Sequence, residues 1–262
     1  MASQLSRAPD AGSGPAFRVL LADDSQESQV LIRLYLQGLP YQVDLAGDGE
    51  EAVALFKARP FDLVFLDQHM PVMDGFTAAR LMRQWESSNH RSPVPILALT
   101  ADSLVEAREQ GQAAGCTAFL AKPIAKEQLL DALQRFGASF SKKRATAQNS
   151  APAGLAPLID EEIARRRPLF LDNRRRELRR LQDAVERGDC EFIRIMGHRL
   201  KGLAGSYGFP DIGLAGAELE EAGKGQDLAA MRRTIDQLAA LLARRARPCK
   251  RSSKTGRGKL RP

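Results

Sequence analysis

The sequence predicts an α/β domain followed by an all-α domain, and three observations support this. Short apolar runs alternate with amphipathic stretches of helical period as far as about residue 137. Beyond about residue 158 every apolar pattern has helical spacing and no strand pattern returns. Between them lies GASFSKKRATAQNSAPAGLAP, rich in Ala, Ser, Gly and Pro, which reads as a semi-flexible linker. The expected architecture is a doubly wound five-stranded parallel sheet and then a four-helix bundle. The expected divisions are a disordered start over residues 1–15, a first domain over 16–137, a linker over 138–157, a second domain over 158–245 and a disordered tail over 246–262.

In the first domain, FRVLLA at Phe17–Ala22 suits a buried parallel strand, since it is apolar on both faces. Val30, Leu31, Leu34 and Tyr35 have helical spacing within residues 25–38, where Gly38 stands at a C-terminal cap. Strands are expected at 41–46, 61–66, 95–99 and 118–120, and helices at 49–58, 75–86, 103–114 and 126–136. In the second domain, helices are expected at 168–185, 190–207, 211–222 and 228–243, with Asp189 and Asp227 as N-caps. Leu169, Phe170, Leu178, Leu181 and Val185 are expected to bury the first of these helices.

The chain has 262 residues, 44% hydrophobic and 27% charged, enough for two ordinary domains with cores of their own. Its net charge of +7 is uneven: nine Lys/Arg and no acid fall between Arg244 and Pro262, leaving −2 for the rest. The tail has no aromatic residue and no folded DNA-binding motif, which argues against nucleic acid as a partner. Cys116, Cys190 and Cys249 have no metal-ligand spacing and suit a reducing compartment. The start lacks an apolar core of signal-peptide length, and no run reaches the roughly 18 apolar residues of a membrane span. A cytoplasmic protein without membrane insertion is expected.

In a doubly wound sheet, functional groups gather at the carboxyl ends of the strands, near the switch in strand order. Here Asp23 and Asp24 follow the first strand, Asp67 the third, Thr100 the fourth and Lys122 the fifth. Clustered carboxylates repel unless a hard cation joins them, and Mg2+ favours such oxygen ligands. A carboxylate so placed can attack phosphorus, with the metal and Lys122 offsetting charge on the transferring group. These residues, with LVFLDQHMPVMDGF, ALTAD and FLAKPI, resemble the receiver domain of bacterial response regulators over about residues 16–137. The resemblance implies a flavodoxin-like fold with Asp67 as the phosphorylated aspartate. It implies Mg2+ held by Asp23, Asp24, Asp67 and the backbone carbonyl of His69. It also implies that Thr100 bonds the phosphoryl oxygen, that Phe119 is the aromatic that swings in response, and that Lys122, followed by Pro123, pairs with the acyl phosphate.

The second domain centres on GHRLKGLAGSYG, from Gly197 to Gly208. Ile193, Met196, Leu200, Leu203 and Tyr207 form one apolar stripe, and at about 100° per residue His198 points roughly 170° from its centre. His198 is therefore expected to face solvent, sharing its face with Lys201, Gly202 and Gly205. Each glycine costs about 1 kcal/mol relative to Ala within a helix. The expected reason is a bare face that lets another protein approach the ring, with Lys201 neutralising an anion carried on it. HRLKGLAGSYG resembles the signature of histidine-containing phosphotransfer domains, which implies a phosphohistidine at His198 in an up-down four-helix bundle.

Together the two resemblances imply a phosphorelay intermediate. A histidine kinase, simple or hybrid, would supply phosphoryl to Asp67, and His198 would exchange it with its own or a downstream receiver. The sequence has no ATP-binding glycine boxes, so the chain is expected not to be an enzyme beyond a receiver's own aspartyl phosphorylation and dephosphorylation. A phosphate sink for a partner regulator, and a phosphorylation-switched protein- or nucleic-acid-binding protein, are the alternatives.

Overall fold

The structure, a computed structural model, describes residues 17–101, 104–141 and 155–245. The expected disordered ends, and residues 142–154 of the expected linker, lie outside the described residues. The chain divides into two compact units, one reaching Ala164 and the other beginning at Arg165.

The first unit holds β1 (Phe17–Ala22), α1 (Gln26–Leu36), β2 (Tyr41–Ala46), α2 (Gly49–Ala58) and β3 (Leu63–Asp67). It continues with α3 (Gly75–Ser88), β4 (Ile96–Thr100), α4 (Leu104–Ala113), β5 (Ala118–Ala121) and α5 (Lys126–Ser141). All strand pairs are parallel, in the order β2-β1-β3-β4-β5. Every residue of β3 and β4 is buried, because parallel strands with helices on both faces are apolar throughout. The edge strands β2 and β5 are mostly half-buried. Side-chain caps start the helices where the chain leaves the sheet: Asp48 and Asp74 accept from Glu51 N and Thr77 N. Strands β3 and β4 run one residue past their expected ends, because the ladder continues through Asp67 opposite Leu99 and Thr100 opposite Ala121. Asp67 and Thr100 are thus the last strand residues and inherit the rigidity of the sheet.

Helix α6 (Leu155–Arg187) runs into the second unit, which also holds α7 (Cys190–Leu203), α8 (Pro210–Lys224) and α9 (Leu228–Arg244). Helix α6 begins well before the expected start at Pro168, so Pro168 lies inside it. The buried pair Ile159 and Ile163, four residues apart, carries the helical pattern through the stretch before the proline. Phe170, Leu181 and Val185 are buried as expected, but Leu169 is 56% exposed and its neighbour Leu171 is buried instead. The Phe170 ring stacks on Tyr207 and Phe209, with centroids 4.8 and 5.5 Å away.

Helix α7 ends at Leu203, short of the expected Tyr207. Its last turn tightens, with Ser206 N, Tyr207 N and Gly208 N each bonding the carbonyl three residues back. Gly208, at φ 82°, then reverses the chain, and Phe209 N closes the end on Ala204 O. The expected N-caps are present: Asp189 accepts from Phe192 N and Asp227 from Ala230 N.

Helices α7 and α8 meet backbone to backbone. A Cβ on Gly197 would lie 2.5 Å from Glu220 N and 2.7 Å from Gly216 O. A Cβ on Gly216 would lie 2.6 Å from both Leu200 Cβ and Lys201 N. Gly197→Ala or Gly216→Ala should therefore destabilise the second unit by about 1–3 kcal/mol through overpacking. Gly213 on the same helix has ordinary clearance, with its nearest neighbour at 3.7 Å. Gly213→Ala should raise stability by about 0.5–1 kcal/mol through helix propensity. Thermal melts of the three variants check the contrast in sign.

Candidate functional site

The first site lies where strand order reverses, between β1 and β3. Asp23 directly follows β1, Asp67 ends β3, Thr100 ends β4 and Lys122 directly follows β5. Asp23, Asp67 and Thr100 are buried and Asp24 is half-buried. Asp23, Asp24 and Asp67 offer carboxylate oxygens within 4.8 Å of one another, close enough to share one cation.

Like charges this near need compensation. Lys122 Nζ supplies it, donating to Asp23 Oδ2 at 2.9 Å and Asp67 Oδ2 at 2.7 Å. Burial alone would favour the neutral amine, but Asp23 and Asp67 outweigh it and hold the ammonium above its ordinary pKa. Asp23 is fixed further by Ser25 N at 2.9 Å and Ser28 Oγ at 2.6 Å.

The remaining residues expected at this site sit around the carboxylates. Thr100 Oγ1 donates to the side chain of Gln68, the residue after Asp67, at 2.6 Å. His69 is half-buried in the loop between β3 and α3. The half-buried Phe119 ring lies against α4, where a Cβ on Gly111 would come 2.7 Å from its Cζ. The Lys122–Pro123 peptide is cis.

The second site corrects an expectation. His198 is buried, 7% exposed, rather than facing solvent. Its angle from the α7 stripe takes no account of α8, which the paired glycines allow to pack against the flank of α7. Gly197 accordingly serves contact with α8 and not an open face, while Gly202 and Gly205 are half-buried.

Close packing brings Glu220 of α8, 1% exposed, onto the histidine. His198 Nδ1 lies 3.1 Å from Glu220 Oε1, and Lys201 Nζ donates to Glu220 Oε2 at 3.0 Å. Lys224 Nζ reaches Oε1 at 3.4 Å. Burial opposes ionisation of Glu220, but hydrogen bonds from His198 and Lys201, with their charges, pull its pKa down to about 2. An ionised carboxylate can only accept, so the proton of this contact belongs to Nδ1. In the neutral imidazole Nε2 then carries the lone pair. Arg194, one turn before His198 on α7, is engaged by Glu191, at 2.8 and 2.7 Å.

Glu220 and Gln68 are not among the residues expected at either site. Glu220 follows Gly216 by four residues and precedes Gly223 by three, on the packed face of α8. A carboxylate on an otherwise small and apolar face was the available signal.

Residues 19–134 match the family model of the response regulator receiver domain, and residues 167–247 match that of the Hpt domain. This chain joins a receiver domain to an Hpt domain. The sensor histidine kinase GacS of Pseudomonas protegens is 38% identical over 117 residues, covering 45% of this chain and 13% of that protein. The signal transduction histidine-protein kinase BarA of Escherichia coli is 34% identical over 135 residues, covering 51% of this chain and 14% of that protein. The chain thus corresponds to a small part of these relatives. Among solved structures, the receiver domain of the sensor histidine kinase PA1611 from Pseudomonas aeruginosa, with a magnesium ion in its active-site cleft, is 36% identical. That match covers 47% of this chain and 98% of the other, with a TM-score of 0.42. Receiver and Hpt domains are signalling domains, and neither is a kinase domain. Among the described residues no helix is long and apolar enough to cross a membrane.

The Hpt site makes stability depend on pH. Glu220 has its folded pKa lowered from 4.5 to about 2. Its contribution is complete above pH 4.5 and is lost as pH falls from there toward 2, on the order of 3 kcal/mol in all. Melts of the full chain across that range should show the loss, and Glu220→Gln should flatten it for the Hpt transition.

Proposed function

We propose that the chain is a phosphorelay intermediate, taking phosphoryl on Asp67 from a histidine kinase and exchanging it through His198 with a receiver aspartate, its own or another's. One observation carries this reading. The same chain holds a strand-end aspartate compensated by a buried lysine and a histidine whose Nδ1 is tied to an ionised glutamate.

At the receiver site, a carboxylate oxygen of Asp67 attacks phosphorus of a phosphohistidine; the O–P bond forms as the N–P bond breaks and imidazole leaves. Lys122 moves with the charge, from the carboxylate to the acyl phosphate. Asp23, Asp24 and Asp67, with the His69 carbonyl, are the residues that would hold Mg2+, and their all-oxygen donor set suits it. Bound there, Mg2+ supplies charge neutralisation to the transferring group. Thr100 donates to a phosphoryl oxygen, and Phe119 is the aromatic that responds.

At the Hpt site, Nε2 of His198 attacks the acyl phosphate; the N–P bond forms and the aspartate carboxylate leaves. Glu220 keeps the proton on Nδ1 and offsets the positive charge that builds on the ring. Lys201 offsets charge on the phosphoryl group. Because His198 Nε2 is buried, the side chains around it must part for the donor to reach it. The chain acts as carrier rather than as kinase, in the cytoplasm, with a kinase upstream and a receiver downstream.

Time courses with a histidine kinase, labelled ATP and a partner receiver test the reading. His198→Gln should slow labelling of the partner receiver by at least about two orders of magnitude. Asp67→Asn should remove label from the receiver domain. Flow to every partner receiver left intact by His198→Gln would overturn the relay, and label lost as free phosphate without reaching any partner would mark a phosphate sink.

A further inference from the structure

The most informative group outside the expected site is the Gln68 carboxamide. Gln68 is 8% exposed and its backbone is pinned, with its N–H on Leu99 O and its C=O on Gly75 N, both at 3.0 Å. Its side-chain oxygen accepts the hydroxyl proton of Thr100, which is fully buried, at 2.6 Å. That distance lies at the short end of O–H···O geometry.

A hydroxyl has one proton to give. The hydroxyl proposed to bond a phosphoryl group on Asp67 is therefore committed to the neighbouring residue in the resting protein. We propose that Gln68 is a positioning residue that holds Thr100 in the resting arrangement, so that phosphorylation of Asp67 must break the Thr100–Gln68 hydrogen bond. This rests on the reading of Asp67 as phosphoacceptor and of Thr100 as its responding hydroxyl.

The exchange is simple to balance. One O–H···O bond to the Gln68 carboxamide is lost and one to a phosphoryl oxygen is gained, with no net change in covalent bonds beyond the phosphorylation itself. The buried carboxamide oxygen gives up its donor in the phosphorylated state, which disfavours that state. Replacing Gln68 by an apolar side chain of similar length removes this bias. A net neutral hydrogen bond corresponds to roughly a two- to tenfold change in an equilibrium constant.

The test uses the full chain with Mg2+ and beryllofluoride, a phosphoryl mimic that adds to a carboxylate oxygen, titrated by calorimetry. Gln68→Met should bind the mimic roughly two- to tenfold more tightly than the unmodified chain. In a Thr100→Val background the same substitution should change affinity less than about twofold, because the hydroxyl it acts through is gone. Unchanged or weaker binding by Gln68→Met, or an equal gain in the Thr100→Val background, would overturn the proposal. If Gln68→Met does not melt cooperatively, Gln68→Asn replaces it, being one methylene too short to reach the hydroxyl, with the same expectation. If Asp67→Asn binds the mimic as well as the unmodified chain, the phosphoacceptor reading fails first and takes this inference with it.

Discussion

Carboxylates buried or crowded together in a protein need compensation, and both sites of this chain supply it with a lysine. In the receiver domain the switch in strand order forces Asp23 and Asp67 together, and Lys122 from the end of β5 reaches across to bind both. In the Hpt domain the crossing of α7 and α8 buries Glu220, and Lys201 and His198 face its two oxygens. In the Hpt domain His198 and Lys201 together hold Glu220 ionised where burial favours the neutral acid, and in the receiver domain Asp23 and Asp67 hold the Lys122 ammonium where burial favours the neutral amine. The arrangement also suits phosphoryl chemistry, since a lysine that stabilises a carboxylate is already placed for added negative charge.

The two domains reach this arrangement differently. The receiver places its groups at the ends of strands whose register is fixed by ladders of buried apolar residues, so its geometry follows from the sheet. The Hpt domain relies on Gly197 and Gly216, whose missing side chains let one helix backbone lie against the other. Removing that clearance would move Glu220 away from the histidine. Gly197, beside His198 on α7, thus has an internal reason, close packing against α8.

Much of this was legible in the sequence. The strand-end positions of Asp23, Asp67, Thr100 and Lys122 follow from the alternation of apolar runs and helices, because a parallel strand is apolar on both faces and ends where polar residues begin. The caps at Asp189 and Asp227 were legible for the same local reason. What was not legible depended on neighbouring elements. The burial of His198 is set by α8, which no pattern within α7 reports. Glu220 stands 22 positions from the histidine it holds, and Gln68 is a polar residue whose partner lies on the next strand, 32 positions away. The early start of α6 was hidden by Pro168, a residue that usually marks a helix beginning and here lies within one.

The proposed relay places two phosphoacceptors of different chemistry on one chain. Its most direct measurement is the base stability of label on the full chain after incubation with a histidine kinase and labelled ATP. Base removes an acyl phosphate and spares a phosphohistidine. In the proposed relay, base removes part of the label and leaves part, and the surviving part disappears in His198→Gln. Base-stable label that persists in His198→Gln, or an unmodified chain whose label is entirely base-labile, would contradict it.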